Sequence, residues 1–422
     1  MPLKVLIAID KFKGSLTSLR AAVCVREGFL SSSDSFLFDI VPIADGGDGS
    51  LDVVRSVWKG LCETVKCCAH DPLGRVMECE YLLLYSPEGG PPKAFIEMAK
   101  ICGLVLLGED ERNPLKTSTY GLGEVILDAA GHGAGEIYLS IGGSATNDGG
   151  AGMLQALGFG FFSGPAQGRR PITEHITGEI LQEITYIAPP FRPVHGVYPL
   201  PLSNGEPGLS LSADNPAGGA RLDRFVLNVI CDVTNPLLGP DGATYVYAPQ
   251  KGASENDLKT LECGMENYAN VCSGCFGDTW KGCGFSGAGA AGGTGFAAGS
   301  LLAAHIIKGW EFFFDLTCLE QRIAEADIVV SGEGRIDTQS LSGKLIEGIG
   351  LACRRTDKPL LLFCGTSDIG EQELKEAVGT NNVKIFTLSS IEPDIRKSME
   401  NAGQLLQKLA AFAIGNEKGY RL

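Results

Sequence analysis

Short runs rich in Val, Ile and Leu, most of them ended by Gly or Asp, recur near both ends of the chain. Such runs read as strands buried on both faces of a parallel sheet. They are KVLIAID (residues 4–10), LFDIVPI (37–43), DIVVSG (327–332), PLLLFCG (359–365) and VKIFTL (383–388). Apolar residues at helical spacing predict helices over 18–30, 343–354 and 371–378, with a closing helix over 395–414. Two β-then-α units at the start and three at the end share one style. They predict a single flavodoxin-like, doubly wound parallel sheet, and right-handed crossovers give it the order 2-1-3-4-5.

The stretch between is long enough to hold its own core, so the sheet reads as interrupted by a large inserted α/β domain. The predicted division is residues 1–60 plus 320–422 for the sheet domain and 61–319 for the insertion. Strands are expected within the insertion at 94–98, 136–141 and 225–230, and a helix over 296–307. Residues 189–221 hold seven prolines among Gly, Ser and Asn and read as a flexible, exposed, Pro-rich loop.

Composition narrows the class. Of 422 residues, 44% are hydrophobic and 20% charged, an ordinary globular balance. The net charge of −15 disfavours nucleic acid and anionic membrane as partners. Any anionic substrate must then find local cations. The 14 cysteines lack zinc-ligand spacing and read as reduced thiols. The first apolar run stops at Asp10 and reads as a strand, not a secretion signal, so a cytoplasmic location is expected. No run reaches the ~20 apolar residues of a membrane span.

Ligands of open α/β sheets bind beyond the carboxyl ends of the strands. The segments at those ends are Asp10–Ser15, Asp45–Gly49, Gly332–Asp337 and 365–368, each rich in carboxylates, cations or glycine. One of them alone reads as a turn; all of them at one edge read as a site. The insertion adds three polar runs. GGSATNDGG (142–150) lies between a strand and a helix pattern, a junction where free N–H groups bind anions. CDVTNP (231–236) offers Asp232 as a metal ligand or proton acceptor, or as a turn residue before proline. GAGAAGGTG (287–295) lacks side chains that would keep a phosphate from the backbone. There is no G-x-x-x-x-G-K-[ST], no protein-kinase signature, and no Ser or Cys nucleophile beside any of the five histidines. The residues suit phosphoryl transfer to a small anionic acceptor.

Ten stretches, in order and over nearly the whole chain, carry a resemblance: IAIDKFKGSLTS, VPIADGGDGS, DPLGR, FIEMAKICGL, NPLKTSTYGLGEVI, IGGSATNDGGAGMLQALG, CDVTNPLLGPDGA, PQKGAS, GAGAAGGTGF and VSGEGRIDTQSLSGK. The chain resembles the type I glycerate kinases of bacteria. It departs at Ile9 and Lys11, where the family commonly has Pro and Ser, and at Asp48, where Glu is frequent. The resemblance implies a two-domain α/β fold, ATP and magnesium (Mg2+) as cofactors, and D-glycerate phosphorylated to 2-phosphoglycerate in a cleft between the domains. On that reading Asp10, Asp45 and Asp232 are candidates for magnesium ligand or general base. Asp232 is the first choice for the base, and Asp45 and Asp232 are the named metal ligands. Lys13 and Arg335 would hold the glycerate carboxylate or the moving phosphate. Asn235, Glu333 and Asp337 would contact substrate, although Glu333 and Asp337 could instead support their neighbours. Gly143, Ser144, Asn147 and Asp148, with Gly287, Gly289, Gly292, Gly293 and Gly295, would bind nucleotide phosphates, in an order left open. The alternatives are a kinase acting at glycerate O3 or on a related hydroxy acid, and a non-catalytic sensor of glycerate or nucleotide. Monomer and homodimer are both compatible with the sequence.

Overall fold

The computed structural model describes residues 2–33, 35–190, 225–277, 281–341, 344–380 and 382–415. The predicted Pro-rich loop at 189–221 lies outside these residues except for its first two positions. The chain forms two compact units. One comprises Met1–Asp45, Asp52–Val57 and Gly309–Leu422; the other comprises Gly46–Leu51 and Trp58–Lys308.

The first unit is built on a five-stranded parallel sheet. Its strands are Leu3–Ile9, Phe36–Ile40, Ile328–Ile336, Leu360–Ser367 and Val383–Thr387, and counted along the chain they lie in the order 2-1-3-4-5. The predicted order is therefore the observed one. Val5 to Ile9 are fully buried, as a strand covered on both faces requires. Helices Ser18–Ser32 and Ala402–Gly415 pack together over this core. They approach closely because Gly28 has no Cβ; one there would lie 2.3 Å from the Gln407 carbonyl oxygen. Two expectations need correction. The closing helix is two helices, Ile395–Glu400 and Ala402–Gly415, separated at Asn401. The third strand does not end at Gly332 but runs to Ile336, because residues 333–336 keep pairing with 364–367.

The second unit holds a six-stranded mixed sheet. From one edge it runs His305–Ile307, Val226–Ile230, Glu136–Ser140, Lys93–Glu97, Val76–Leu84 and Cys62–His70. The first four are parallel and the last two antiparallel. A three-stranded antiparallel sheet adds Arg170–Pro171, Gly160–Ser163 and Ile184–Ala188. The helix expected over 296–307 is not formed. A helix over Ala290–Phe296 gives way to a wide turn at Ala297–Leu301, and His305–Ile307 extends the sheet beside Val226–Ile230. A short apolar run fits a helix or a strand equally well, and the free edge of Val226–Ile230 decided between them.

The units divide at 308/309, not 319/320. Helix Gly309–Leu316 packs on helix Leu345–Thr356 of the first unit, where the Trp310 ring takes the space a Cβ on Gly348 would need. Residues 46–51 group with the second unit because Gly142 N–H donates to the Gly46 carbonyl and Glu97 binds Gly49 and Leu51. Among the described residues no helix is long and apolar enough to cross a membrane.

Candidate active site

In the first unit the carboxyl ends of the strands bring acids together. Asp10 follows the first strand, and its N–H donates to the Gly332 carbonyl of the neighbouring strand (2.8 Å). Its Oδ1 accepts from the Lys11 N–H (2.7 Å). Burial pushes the Asp10 carboxyl up to about 8; Asp45 and Glu333 add to the rise, and Lys11 opposes it. Lys11 Nζ lies 3.2 Å from Asp45 Oδ1. Glu333 is also raised, first by burial and then by Asp337 and Asp45, against a hydrogen bond from Ser340 and the charge of Lys344. Asp337 and Ser340 close a local turn, with Ser340 N–H donating to Asp337 Oδ1 (3.2 Å). Asp10, Asp45, Glu333 and Asp337 thus form one electrostatic group, and Lys11 and Lys344 are the cations that act on it.

Of the two predicted cations, Arg335 feels the charge of Asp337 but makes its hydrogen bonds elsewhere. Arg335 is exposed, and its Nε and Nη2 both donate to Asp368 Oδ2 (3.0 and 2.5 Å). Lys13 is exposed in the turn after Phe12. Among the described residues no group of three or more His, Cys, Asp or Glu is placed to hold a metal ion by itself.

In the second unit four loops meet beyond the carboxyl ends of Glu136–Ser140 and Val226–Ile230. Gly142 N–H donates to the Gly46 carbonyl (3.1 Å), Gly149 N–H to Gly292 (2.9 Å) and Gly289 N–H to Asn235 (2.9 Å). Glycine is what lets these loops come together, for a steric reason. A Cβ on Gly292 would lie 2.0 Å from the Thr146 carbonyl oxygen, on Gly289 2.2 Å from that of Pro236, and on Gly295 2.1 Å from that of Gly287. On Gly293 it would lie 2.7 Å from Gly149 Cα. Gly292 and Gly293 also hold φ of +65° and +90°. Close packing of loop on loop is therefore enough to require these glycines. Gly287 and Gly143 are less crowded, with nearest atoms at 3.3 Å.

Asp148 is fully buried, and its oxygens accept from Thr119 N–H and Oγ1 (both 2.7 Å) and from the N–H groups of Gly150 and Gly152 (both 3.2 Å). Burial raises its carboxyl, and those four donors oppose the rise. Its place is inside the loop, holding the loop's shape. Asn147 donates to Thr244 Oγ1 (3.3 Å), while its Oδ1 and the Thr146 hydroxyl are buried without partners. Ser144 Oγ accepts from Lys251 Nζ (2.9 Å), and the same ammonium donates to the Thr146 carbonyl (2.7 Å). Burial depresses Lys251 to about 7, and Asp148 opposes the shift. Asp232 is partly buried beside Cys231. Both ends of the Asn235 amide are engaged, with Nδ2 donating to the Asp241 carbonyl and Oδ1 accepting from Tyr247 (both 2.7 Å).

The structure thus groups Asp10, Asp45, Glu333 and Asp337 within one unit, and Gly143 to Asp148, Asp232, Asn235 and Gly287 to Gly295 within the other. Lys251, Thr119, Lys344 and Glu97 were not singled out from sequence, and Lys11 only as a departure from the family pattern. Glu97 carried a signal, as a lone acid inside the apolar run AFIEM. It is fully buried and accepts from Gly49 N–H (3.1 Å) and Leu51 N–H (2.7 Å), which fixes the loop after Asp45. The contacts of Lys251 span more than a hundred residues of sequence and left no local trace.

Comparison with known proteins agrees with this arrangement of motifs. The model of the glycerate kinase family matches residues 5–188 and 210–415. A glycerate kinase of Halalkalibacterium halodurans is 34% identical over 407 residues, 96% of each chain. The glycerate 2-kinase of Escherichia coli is 34% identical over 418 residues, 98% of this chain and 99% of that one. The crystal structure of a "putative glycerate kinase 2" from Salmonella typhimurium LT2 superposes with a TM-score of 0.69 at 32% identity, covering 98% of this chain and 99% of the other. With the family model matched over both units and relatives aligned nearly end to end, the chain belongs to the glycerate kinase family.

Proposed function

We propose that the protein transfers the γ-phosphoryl group of ATP to the 2-hydroxyl of D-glycerate, giving 2-phosphoglycerate, with magnesium as cofactor. What supports this reading is the likeness to glycerate kinases along nearly the whole chain, together with the acids gathered at Asp10, where burial, Asp45 and Glu333 push the carboxyl up to about 8. A site that repels its own negative charge is suited to a cation. Magnesium takes one or two carboxylates and completes its shell with water and phosphate oxygens, so Asp10 and Asp45 fit it. Bound there, it would offset the charge of the transferring phosphoryl group.

The remaining roles fall to the chain's own groups. Asp232, on the loop after Val226–Ile230, takes the proton of the attacking hydroxyl; it is also the alternative metal ligand. Lys13 and Arg335 hold the glycerate carboxylate. Arg335 must first exchange Asp368, which costs little because an exposed ion pair is worth about 0–1 kcal/mol. Glu333 and Asp337 tune Asp10 and Asp45 electrostatically. Asn235 shapes the Asp232 loop through Asp241 and Tyr247. The interlocked loops 142–150 and 287–295 present the nucleotide, and Lys251 braces the first of them through Ser144 and the Thr146 carbonyl.

The test is ADP release from ATP and magnesium with and without D-glycerate, followed by phosphorus NMR of the product. Glycerate-dependent ADP formation and a 2-phosphate ester are expected. No ADP above the glycerate-free rate would sink the kinase reading. A 3-phosphate ester would keep the kinase and move the acceptor to O3.

A further inference from the structure

The hairpin at the edge of the six-stranded sheet brings two thiols face to face. Its turn, DPLGR, is locked by Asp71, which is buried and accepts from Leu73 N–H and Arg75 N–H (both 2.9 Å) and from Arg75 Nε (2.5 Å). Asp71 N–H also donates to the Arg75 carbonyl (2.8 Å). A locked turn fixes the register of the strands it joins. His70 is thereby set against Val76, and every pair follows to Cys62 against Leu84, which places Cys67 directly opposite Cys79. Their Sγ atoms lie 3.5 Å apart. Side chains at opposed positions have Cβ atoms about 4.5–5.5 Å apart, against about 3.5–4.5 Å in a disulfide, so a small approach and two χ1 adjustments suffice. The strand Cys62–His70 lies at the sheet's edge.

The pair can also be reached. Cys67 is partly exposed. Cys79 is buried beneath it. The neighbouring thiols are set differently: Cys68 opposes Glu78 and Cys62 opposes Leu84, so neither faces a second sulfur across the strands.

We propose that Cys67 and Cys79 form a dithiol modification site, which a peroxide converts into an intramolecular disulfide between the two strands. In the first step the Cys67 sulfur, the more exposed of the two, attacks a peroxide oxygen. The O–O bond breaks, one water leaves and Cys67 becomes a sulfenic acid. In the second step the Cys79 sulfur, 3.5 Å away, attacks Cys67, the S–O bond breaks and the second water leaves with the Cys79 proton. Two thiols are oxidised by two electrons while one hydrogen peroxide is reduced to two waters. The site does not depend on the kinase reading.

The experiment treats the full chain with hydrogen peroxide, alkylates the remaining thiols and maps the digest by mass spectrometry. A peptide pair joined through Cys67 and Cys79, two hydrogens lighter than its parts and restored by dithiothreitol, is expected as the main disulfide. Cys79→Ser should abolish the cross-link and leave Cys67 as a sulfenic acid trapped by dimedone. Cys67→Ser should abolish both. Should Cys79→Ser fail to fold, Cys67→Ser, at the more exposed position, decides alone. Full alkylation of both thiols after other cysteines have oxidised, or cross-links of either to Cys68, would overturn the proposal.

Discussion

The acidic group around Asp10 and the glycine loops around Asp148 are written in the same few residue types, yet they solve opposite problems. Asp148 lies at zero exposure with four protein donors on its oxygens, so burial and hydrogen bonding offset each other inside the fold. Asp10 accepts one backbone N–H, faces two other carboxylates, and its carboxyl is driven to about 8. The glycines divide in the same way. Gly292 has protein backbone 2.0 Å from where its Cβ would stand, whereas Gly49, next to the acidic loop, has nothing within 4 Å. A satisfied carboxylate or a crowded glycine is architecture. An unsatisfied carboxylate or an open glycine is where a ligand has work to do.

Four experiments would break or sharpen that contrast. The largest effect is expected from removing an acid assigned to the chemistry. Asp10→Asn and Asp232→Asn should each lower turnover by about 10²–10⁴-fold. The Asp10 variant should also be more stable than the wild type at alkaline pH. A carboxyl raised in the folded state stabilises it below the unfolded value, and that contribution is lost as pH rises from about 4 towards 8. Urea melts at pH 5 and pH 9 read the sign. Asp10→Asn with normal turnover would remove Asp10 from the chemistry.

Asp148→Asn should behave in the reverse manner. It keeps the shape but weakens several charge-assisted hydrogen bonds, and a loss of about 3 kcal/mol in denaturant unfolding is expected. The folded fraction should retain most of its turnover. A stable but inactive Asp148→Asn protein would make Asp148 a ligand group and cancel the contrast.

Gly292→Ala should cost about 2–4 kcal/mol, because a neighbouring backbone must shift and φ is +65°. Gly49→Ala, also at positive φ but in open space, should cost only about 1 kcal/mol. Equal costs at the two positions would mean that crowding does not decide the choice of glycine.

The smallest effect is a pH slope. If magnesium sits on Asp10, binding must displace the proton there, so affinity should rise about tenfold per pH unit up to about 8 and then level off. Calorimetry with magnesium alone checks it, and Asp10→Asn should flatten the profile.

The five-stranded sheet was legible in the sequence down to its strand order, because its strands are short, mostly apolar runs, most of them closed by Gly or Asp, and the hand of the crossovers leaves little choice. The run 296–307 was not legible, since its apolar residues fit a helix as well as an edge strand. The antiparallel hairpin of Cys62–His70 and Val76–Leu84 was missed as well, because its outer strand is polar and half exposed.

Residue identity fixed which chemistry is available: carboxylates and glycines after strands, few histidines, no P-loop. Those facts depend only on covalent order and local spacing. Folding decided which of these groups remain unsatisfied. Asp148 and Asp10 look alike in the sequence, and only the tertiary structure supplies donors to one and further negative charge to the other. The same holds for Lys251, whose partners Ser144 and Thr146 lie more than a hundred residues away. Burial and long-range contact set the state of a charge, and neither is a property of a residue and its neighbours in the chain.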